Sequence, residues 1–283
     1  MSSQFAYPPP SDGKPFRLIM GLRELEPATW FESGVDVEGQ LLERNQLIDN
    51  QREVVFQALA GFDDEITQFT SLIVDNLKEF HPEYAFNGSV ITHSLTGISA
   101  DISIDHPFLQ LGRVLCEDLC LMAKVNDEWT LVAGVVVFPS RWDLRTKIGK
   151  GIDAIHTPVP GYQAALQPYM SATFEKIKAG RPVWRRNWSL HSTADLHQPT
   201  SIHESATPEN YWWRTERQTL TRLGEKDFLL FTIRNRAEPL SWIKQDPEAA
   251  KAFADTVASM SPETLEYKSL VRDREAIISY LRD

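Results

Sequence analysis

Apolar residues in the first third of the chain recur at helical spacing. LLERNQLIDNQREVVFQAL, from Leu41 to Leu59, has this pattern, and so does the stretch from Ile66 to Phe80, which stops before Pro82. Before them, Pro8-Pro9-Pro10 and Gly13 indicate a flexible or extended lead-in over residues 1–15. The sequence therefore predicts a mainly helical N-terminal extension over residues 16–110.

From Val114 onward the pattern changes to one typical of strands. VLCEDLCLMAKV and WTLVAGVVVF flank the turn residues 126–128 and predict a buried β-hairpin. VWRRNWSL then alternates, with Trp184, Trp188 and Leu190 on one face and Arg185 and Asn187 on the other. YWWRTERQTLTRL, GEKD and FLLFTIR predict a second hairpin, so five strands are expected in all.

Helical patterns lie between these strands and after them. One runs from about Asp143 to Ala179 and is interrupted at residues 157–160 by two prolines. Two more begin at Asp246-Pro247 and Ser261-Pro262, each a capping residue followed by proline at the first helical position. Two strands, inserted helices and three strands form the element order of a PAS domain. We expect one compact α+β domain: a five-stranded, mainly antiparallel PAS-like core at residues 111–240 and C-terminal helices at 241–283.

Composition narrows the possible functions. The net charge is −10 and the pI is about 5.2, which gives no basic footprint for nucleic acid. Neither a signal-peptide pattern nor an apolar run of ~20 residues is present, so we expect a cytoplasmic protein without a membrane partner. Cys116 and Cys120 fit neither a disulfide framework nor a zinc motif. They predict two buried thiols in a reducing compartment.

One histidine stands where a helical pattern is cut off by proline. In KIGKGIDAIHTPVPG, Ile148, Ile152 and His156 are spaced by four, so the imidazole continues an apolar stripe and should face inward. The helix should end at or just after His156, because Pro158 disfavours helical dihedrals at the residue before it. Three roles stay open: a helix C-terminal cap, a general acid or base, and an axial haem ligand, which Gly149 and Gly151 would favour by permitting close approach. The local pattern alone favours the cap.

Longer motifs add a family resemblance. FPSRWDLRTKIGKGIDAIHTPVP, residues 138–160, resembles the signature of the DUF3445 family, the haem-dependent oxidative N-demethylases, also described as the haem subunit of dimethylamine monooxygenase. Similar motifs are GRVLCEDLCLM, RPVWRRNWSLH, RTERQTLTRL and LLFTIR, which together span about residues 95–240 in family order.

The resemblance implies a PAS-fold subunit that binds haem b and uses O2 to demethylate a small secondary amine, releasing formaldehyde. His156 becomes the expected proximal ligand of the haem iron. Arg185 and Asn187 are candidate distal residues, and Glu216 and Arg217, on opposite faces of one strand, offer at most one more.

The resemblance also implies partners that supply what this chain lacks. Two cysteines cannot hold an ordinary [2Fe-2S] cluster, and no nucleotide-binding glycine loop is present. FMN, [2Fe-2S] and NADPH are therefore expected on a reductase subunit, and tetrahydrofolate on a folate-binding subunit that takes up formaldehyde. A haem-based PAS sensor of gas or redox state, without turnover, stays open as the alternative.

Overall fold

The computed structural model describes residues 4–34, 36–200, 206–224, 226–268 and 270–283. Its α-helices are α1 Val37–Asn50, α2 Arg52–Val55, α3 Asp63–Phe80, α4 Pro107–Val114, α5 Ile152–His156, α6 Tyr162–Ala165, α7 Gln167–Lys176, α8 Pro247–Ala258, α9 Pro262–Tyr267 and α10 Arg274–Arg282. Its strands are β1 Arg23–Glu24, β2 Phe56–Ala58, β3 Tyr84–Asn87, β4 Val90–His93, β5 Ile98–Asp101, β6 Glu117–Val125, β7 Glu128–Val135, β8 Val183–His191, β9 Trp212–Arg222 and β10 Phe228–Pro239. Short 3-10 helices occupy Pro27–Thr29, Leu144–Thr146, Pro208–Asn210 and Leu240–Gln245.

The main sheet is antiparallel, with the strand order β1-β8-β9-β10-β6-β7-β2 in the described part of the chain. The five predicted strands are confirmed and lie side by side. The predicted number of five is nevertheless too small, because β1 and β2 pair along the two edges of the sheet. Strands of two and three residues are too short to produce a recognisable alternation of polar and apolar residues.

The turn between β6 and β7 has a backbone conformation that its two residues tolerate well. Asn126 and Asp127 adopt positive φ angles of 49° and 64°, which favour a tight two-residue connection between twisted strands. Asn and Asp tolerate this left-handed region better than other non-glycine residues. The predicted position of this turn is confirmed.

The N-terminal third is less helical than predicted. Helix α3 matches the second predicted helix, but the first ends at Asn50 and is followed by α2 and β2. Strands β3, β4 and β5 form a separate three-stranded antiparallel sheet that the sequence analysis missed. Each has only four residues, so their alternation is brief.

The C-terminal helices begin where the sequence predicts. The Asp246 carboxylate accepts a hydrogen bond from the Ala249 amide, and the Ser261 hydroxyl accepts one from the Thr264 amide. Each side chain thereby satisfies an amide that lacks a partner within its own helix.

The region between β7 and β8 is broken into shorter helices than predicted. After the 3-10 helix the backbone returns to the sheet, where the Gly149 amide donates to the Leu131 carbonyl and the Leu131 amide donates to the Lys150 carbonyl. Gly149 makes this turn with φ +74°. Gly151 makes a close approach, but to the Glu128 side chain, because a Cβ there would lie 1.7 Å from Glu128 Oε1. In this structure the space beside Gly151 is therefore taken by Glu128, whereas a Cβ at Gly149 would meet only a Leu59 methyl group, at 3.8 Å.

The two faces of the main sheet are covered differently. One face carries Val183, Leu220, Phe231 and Cys120 in register, and farther along β8 and β9 it carries Arg185, Asn187, Gln218 and Glu216. We call it the site face; α5–α7 pack on its apolar half. The opposite face is covered by α1, α3 and α4 at one end and by α8–α10 at the other.

Candidate functional site

The His156 imidazole is held in one orientation at the end of α5. Its Nδ1 lies 2.9 Å from the Ile152 carbonyl oxygen, one helical turn back. Its ring stacks on the Tyr162 ring, with centroids 5.2 Å apart and planes 18° from parallel. The Tyr162 hydroxyl in turn donates to Asp153 Oδ1 at 2.5 Å. The prediction that the helix ends at His156 is confirmed.

The same contacts decide the protonation state of the histidine. Burial lowers the pKa of His156, and the positive charges of Arg185 and Lys147 lower it further, against the opposing effect of the Ile152 hydrogen bond. A carbonyl oxygen can only accept, so Nδ1 carries the ring proton and Nε2 keeps its lone pair. Among the described residues no group hydrogen-bonds Nε2. This neutral tautomer, with a fixed ring and an available Nε2, is what a metal-ligating histidine requires.

Apolar side chains surround this end of the site face. Ile152, Tyr162, Leu166 and Met170 are buried there. A second group is only half-buried and flanks them: Leu18, Met20, Leu22, Trp142, Ile148, Ile155, Val159, Val183 and Phe231. Such a combination of apolar walls and a few convergent polar groups is typical of a small-molecule site.

Three of the four candidate distal residues come together on the site face. Asn187 and Glu216 are direct cross-strand partners, and Asn187 Nδ2 lies 3.4 Å from Glu216 Oε2. Gln218 Nε2 donates to the same oxygen at 2.8 Å. Arg185 is the cross-strand partner of Gln218 and lies near enough to His156 to influence its pKa.

Arg217 is directed away from His156. It lies on the opposite face, where it pairs with Glu32 Oε1 at 3.1 Å and donates to the Trp30 carbonyl at 3.2 Å. The expectation that Glu216 and Arg217 point apart is confirmed, and the structure leaves Arg217 outside the site. Its guanidinium instead ties the segment after β1 to the sheet.

Two cations that sequence reasoning missed reach the outer edge of β8. Lys268 is buried, donates to the Trp188 carbonyl at 2.7 Å and lies over the Trp188 ring at 4.5 Å. Burial lowers the pKa of Lys268 to about 8, although the Glu216 carboxylate opposes the change. Arg141 donates to the Leu190 and Lys268 carbonyls, both at 3.0 Å. No periodicity in the sequence links these distant residues to β8.

The segment before β1 was also missed as part of the site. Leu18, Met20 and Leu22 alternate with polar or exposed neighbours and contact the apolar cluster of the site face. That alternation in RLIMGL was the available signal for an extended segment packed on one side.

Two features were sought and not found in the described part of the chain. No group of three or more His, Cys, Asp or Glu side chains is placed to hold a metal ion there. Within the same residues, no helix has the length and apolar character needed to cross a membrane.

Fold and site together define an α+β protein with an oriented, neutral histidine next to a sheet face that is apolar in one part and polar in another. A family model described as haem-dependent oxidative N-demethylase, alpha subunit-like, matches residues 21–278. The chain belongs to this family. A search among curated proteins found no match.

Proposed function

We propose that this chain is the haem-binding subunit of a monooxygenase that demethylates a small secondary amine such as dimethylamine. The observation that carries the proposal is His156, whose Nδ1 is bound by the Ile152 carbonyl and whose Nε2 has no partner among the described residues. A haem b supplies iron, four ring nitrogens and O2 chemistry when it is bound, so it needs only one protein ligand here. The donor set of the site fits that group.

The arrangement around His156 supports a planar, apolar ligand. Ile155, Val159 and Met20 are half-buried against the apolar cluster of the site face and offer apolar contact area. The proposal includes a PAS-like fold, supported by the order β7-β6-β10-β9-β8 of the five predicted strands and by the helices inserted between β7 and β8. Those helices pack on the same face as Arg185 and Glu216.

Glu216 is the carboxylate best placed to recognise an ammonium group. Asn187 and Gln218 both donate to its Oε2, which holds the side chain on the site face. A secondary ammonium ion offers two N–H donors and one positive charge, and a half-buried carboxylate binds such a group more strongly than water-exposed acids do. We assign Glu216 to the amine and Asn187 to its orientation.

The reaction requires electrons that this chain does not carry. Both cysteines are buried as free thiols, in keeping with a cytoplasmic location. An alpha-subunit-like family implies further subunits. We propose that NADPH, FMN and [2Fe-2S] reside on a reductase partner and that a folate-binding partner accepts the formaldehyde.

The visible spectrum tests the haem assignment. We expect the purified protein to show a Soret band that His156→Ala abolishes and that added imidazole restores. Tyr162→Phe is the matched control, because it keeps the ring under His156 and removes only the hydroxyl bound to Asp153. A variant without His156 that retained an unchanged Soret band would contradict the assignment.

A turnover assay then separates an enzyme from a sensor. Reductant, O2 and dimethylamine should yield formaldehyde in proportion to the amine consumed. Formation of a stable O2 complex without formaldehyde, at any amine concentration, would favour a sensor instead.

A further inference from the structure

Arg185 lies near His156, the proposed haem ligand, and forms no ion pair with any described residue. Its side chain lies on the site face, half-buried, where burial lowers its pKa. Its Nε is shielded from solvent and has no hydrogen-bond partner among the described residues. Its Nη2 reaches the Ile19 carbonyl oxygen at 3.4 Å, which is a long contact.

Other buried arginines of the chain are well supplied with acceptors. Arg44, Arg214 and Arg222 each donate three hydrogen bonds of 2.6–3.1 Å to carbonyl or side-chain oxygens. A shielded guanidinium without such partners carries an uncompensated desolvation cost. Arg214 also has a shielded Nε without a partner, but Arg185 differs from these three arginines in having one long contact as its only hydrogen bond among the described residues.

Glu216 does not satisfy Arg185. The carboxylate lies near enough to oppose the lowering of the Arg185 pKa, but no ion pair joins the two side chains in the described residues. Its Oε2 already accepts from Asn187 and Gln218. The free donors of Arg185 match an external carboxylate, which guanidinium groups bind through two parallel hydrogen bonds.

We propose that Arg185 binds a carboxylate at this site and that this carboxylate is a propionate of the haem. The inference rests on the proposed function, and it changes the role of Arg185 from a donor to O2 into an anchor for the porphyrin edge. It also leaves Glu216 and Asn187 as the polar groups available to the amine.

Haem whose propionates are esterified provides a direct probe. We would titrate the haem-free protein with haemin and with haemin dimethyl ester and follow the Soret band. Charge-assisted hydrogen bonds lead us to expect about 10- to 100-fold weaker binding of the ester to the wild-type protein. Arg185→Met should weaken haemin binding by a similar factor and leave ester binding unchanged. Arg185→Lys keeps the charge but loses the paired donors, so its affinity for haemin should lie between those of the wild-type and Arg185→Met proteins.

Arg186→Met is the matched control. Arg186 is the next residue of β8, lies on the opposite face and contacts the Tyr7 ring at 5.8 Å, so its loss should not change the preference for haemin over the ester. Circular dichroism checks that each variant is folded. If Arg185→Met does not fold, Arg185→Lys and the wild-type preference still provide the comparison.

Three results would overturn the proposal. The first is an equal penalty for esterification in the wild-type and Arg185→Met proteins. The second is wild-type binding that does not distinguish haemin from its ester. The third is unchanged haemin binding in Arg185→Met with loss of a spectral response to N-methylglycine, which would assign the guanidinium to a substrate carboxylate. Failure of the wild-type protein to bind either porphyrin would instead reject the proposed function.

Discussion

His191 is expected to make the protein sensitive to mild acid. Its imidazole is 2 % exposed, and its nitrogens lie 2.9 Å from Ser189 Oγ and 2.8 Å from Gln198 Oε1. Burial is the main cause that lowers its pKa to about 2, and the charges of Arg141 and Arg214 lower it further. The folded protein therefore keeps His191 neutral at every pH at which the fold is ordinarily studied.

The size of the expected stability change follows from the difference between the His191 pKa in the folded and in the unfolded state. In the unfolded chain His191 titrates near its ordinary pKa of about 6.5. Below that value the unfolded state binds a proton that the folded state does not, so the stability contributed by neutral His191 is complete above pH ~6.5 and is lost as the pH falls. Between pH 7 and pH 5 the loss amounts to about 2 kcal/mol.

Urea unfolding of the wild type and of His191→Gln at pH 7, 6 and 5 measures this contribution. The substitution should reduce the free energy of unfolding at pH 7, and about 2 kcal/mol of that reduction should disappear at pH 5. Ser189→Ala is the control, because it removes one hydrogen bond and leaves the titrating ring in place. A cost of His191→Gln that is the same at pH 5 and pH 7 would refute the reasoning.

Three further substitutions, away from His191, have expected effects that can be measured. Asp118→Asn should lower the free energy of unfolding by about 3–5 kcal/mol in urea titrations, because it leaves Arg44, which is fully buried and 2.9 Å from the carboxylate, without its charge partner. Gly112→Ala places a Cβ 2.8 Å from a Val135 methyl carbon and should lower the free energy of unfolding in urea by about 1–3 kcal/mol. Adding Val135→Ala to the same chain should recover part of this loss. Glu216→Gln should raise the amine concentration that gives a half-maximal haem spectral shift about 10- to 100-fold; an unchanged concentration would remove Glu216 from amine recognition.

Local signals predicted the long strands and the capped helices. The alternation around Trp184 and Trp188 placed β8 and its two faces correctly, because a strand of nine residues repeats the pattern several times. Asn87-Gly88 was an equally local hairpin signal that was not used, and the strands it joins are β3 and β4. Short strands at the sheet edges depend on a partner strand for their existence and show no such signal.

The site was predictable only in part for the same reason. The Nδ1 contact of His156 is made within α5 and follows from helical geometry. The proximity of Arg185 to His156 depends on how α5 packs on the main sheet, which no spacing along the chain encodes. Lys268 is farther still in sequence and reaches the edge of β8 from the turn after α9.

The site is bordered by segments from nearly opposite ends of the described chain. Leu18 to Leu22 form one wall, while Lys268 and its neighbour Tyr267 stand near Glu216 at the β8 edge. Residues that precede each of these segments are also hydrogen-bonded to each other: the Phe16 amide donates to Ser259 Oγ, and the Lys14 carbonyl accepts from Thr256 Oγ1.

Contacts between residues so distant in sequence have a high entropic cost and tend to form late in folding. We therefore expect the segments that border the site to pack after the central sheet has assembled, and we expect partly folded protein without them to hold haem more loosely. Retention of haem would then report whether the N-terminal and C-terminal segments that border the site have packed in place.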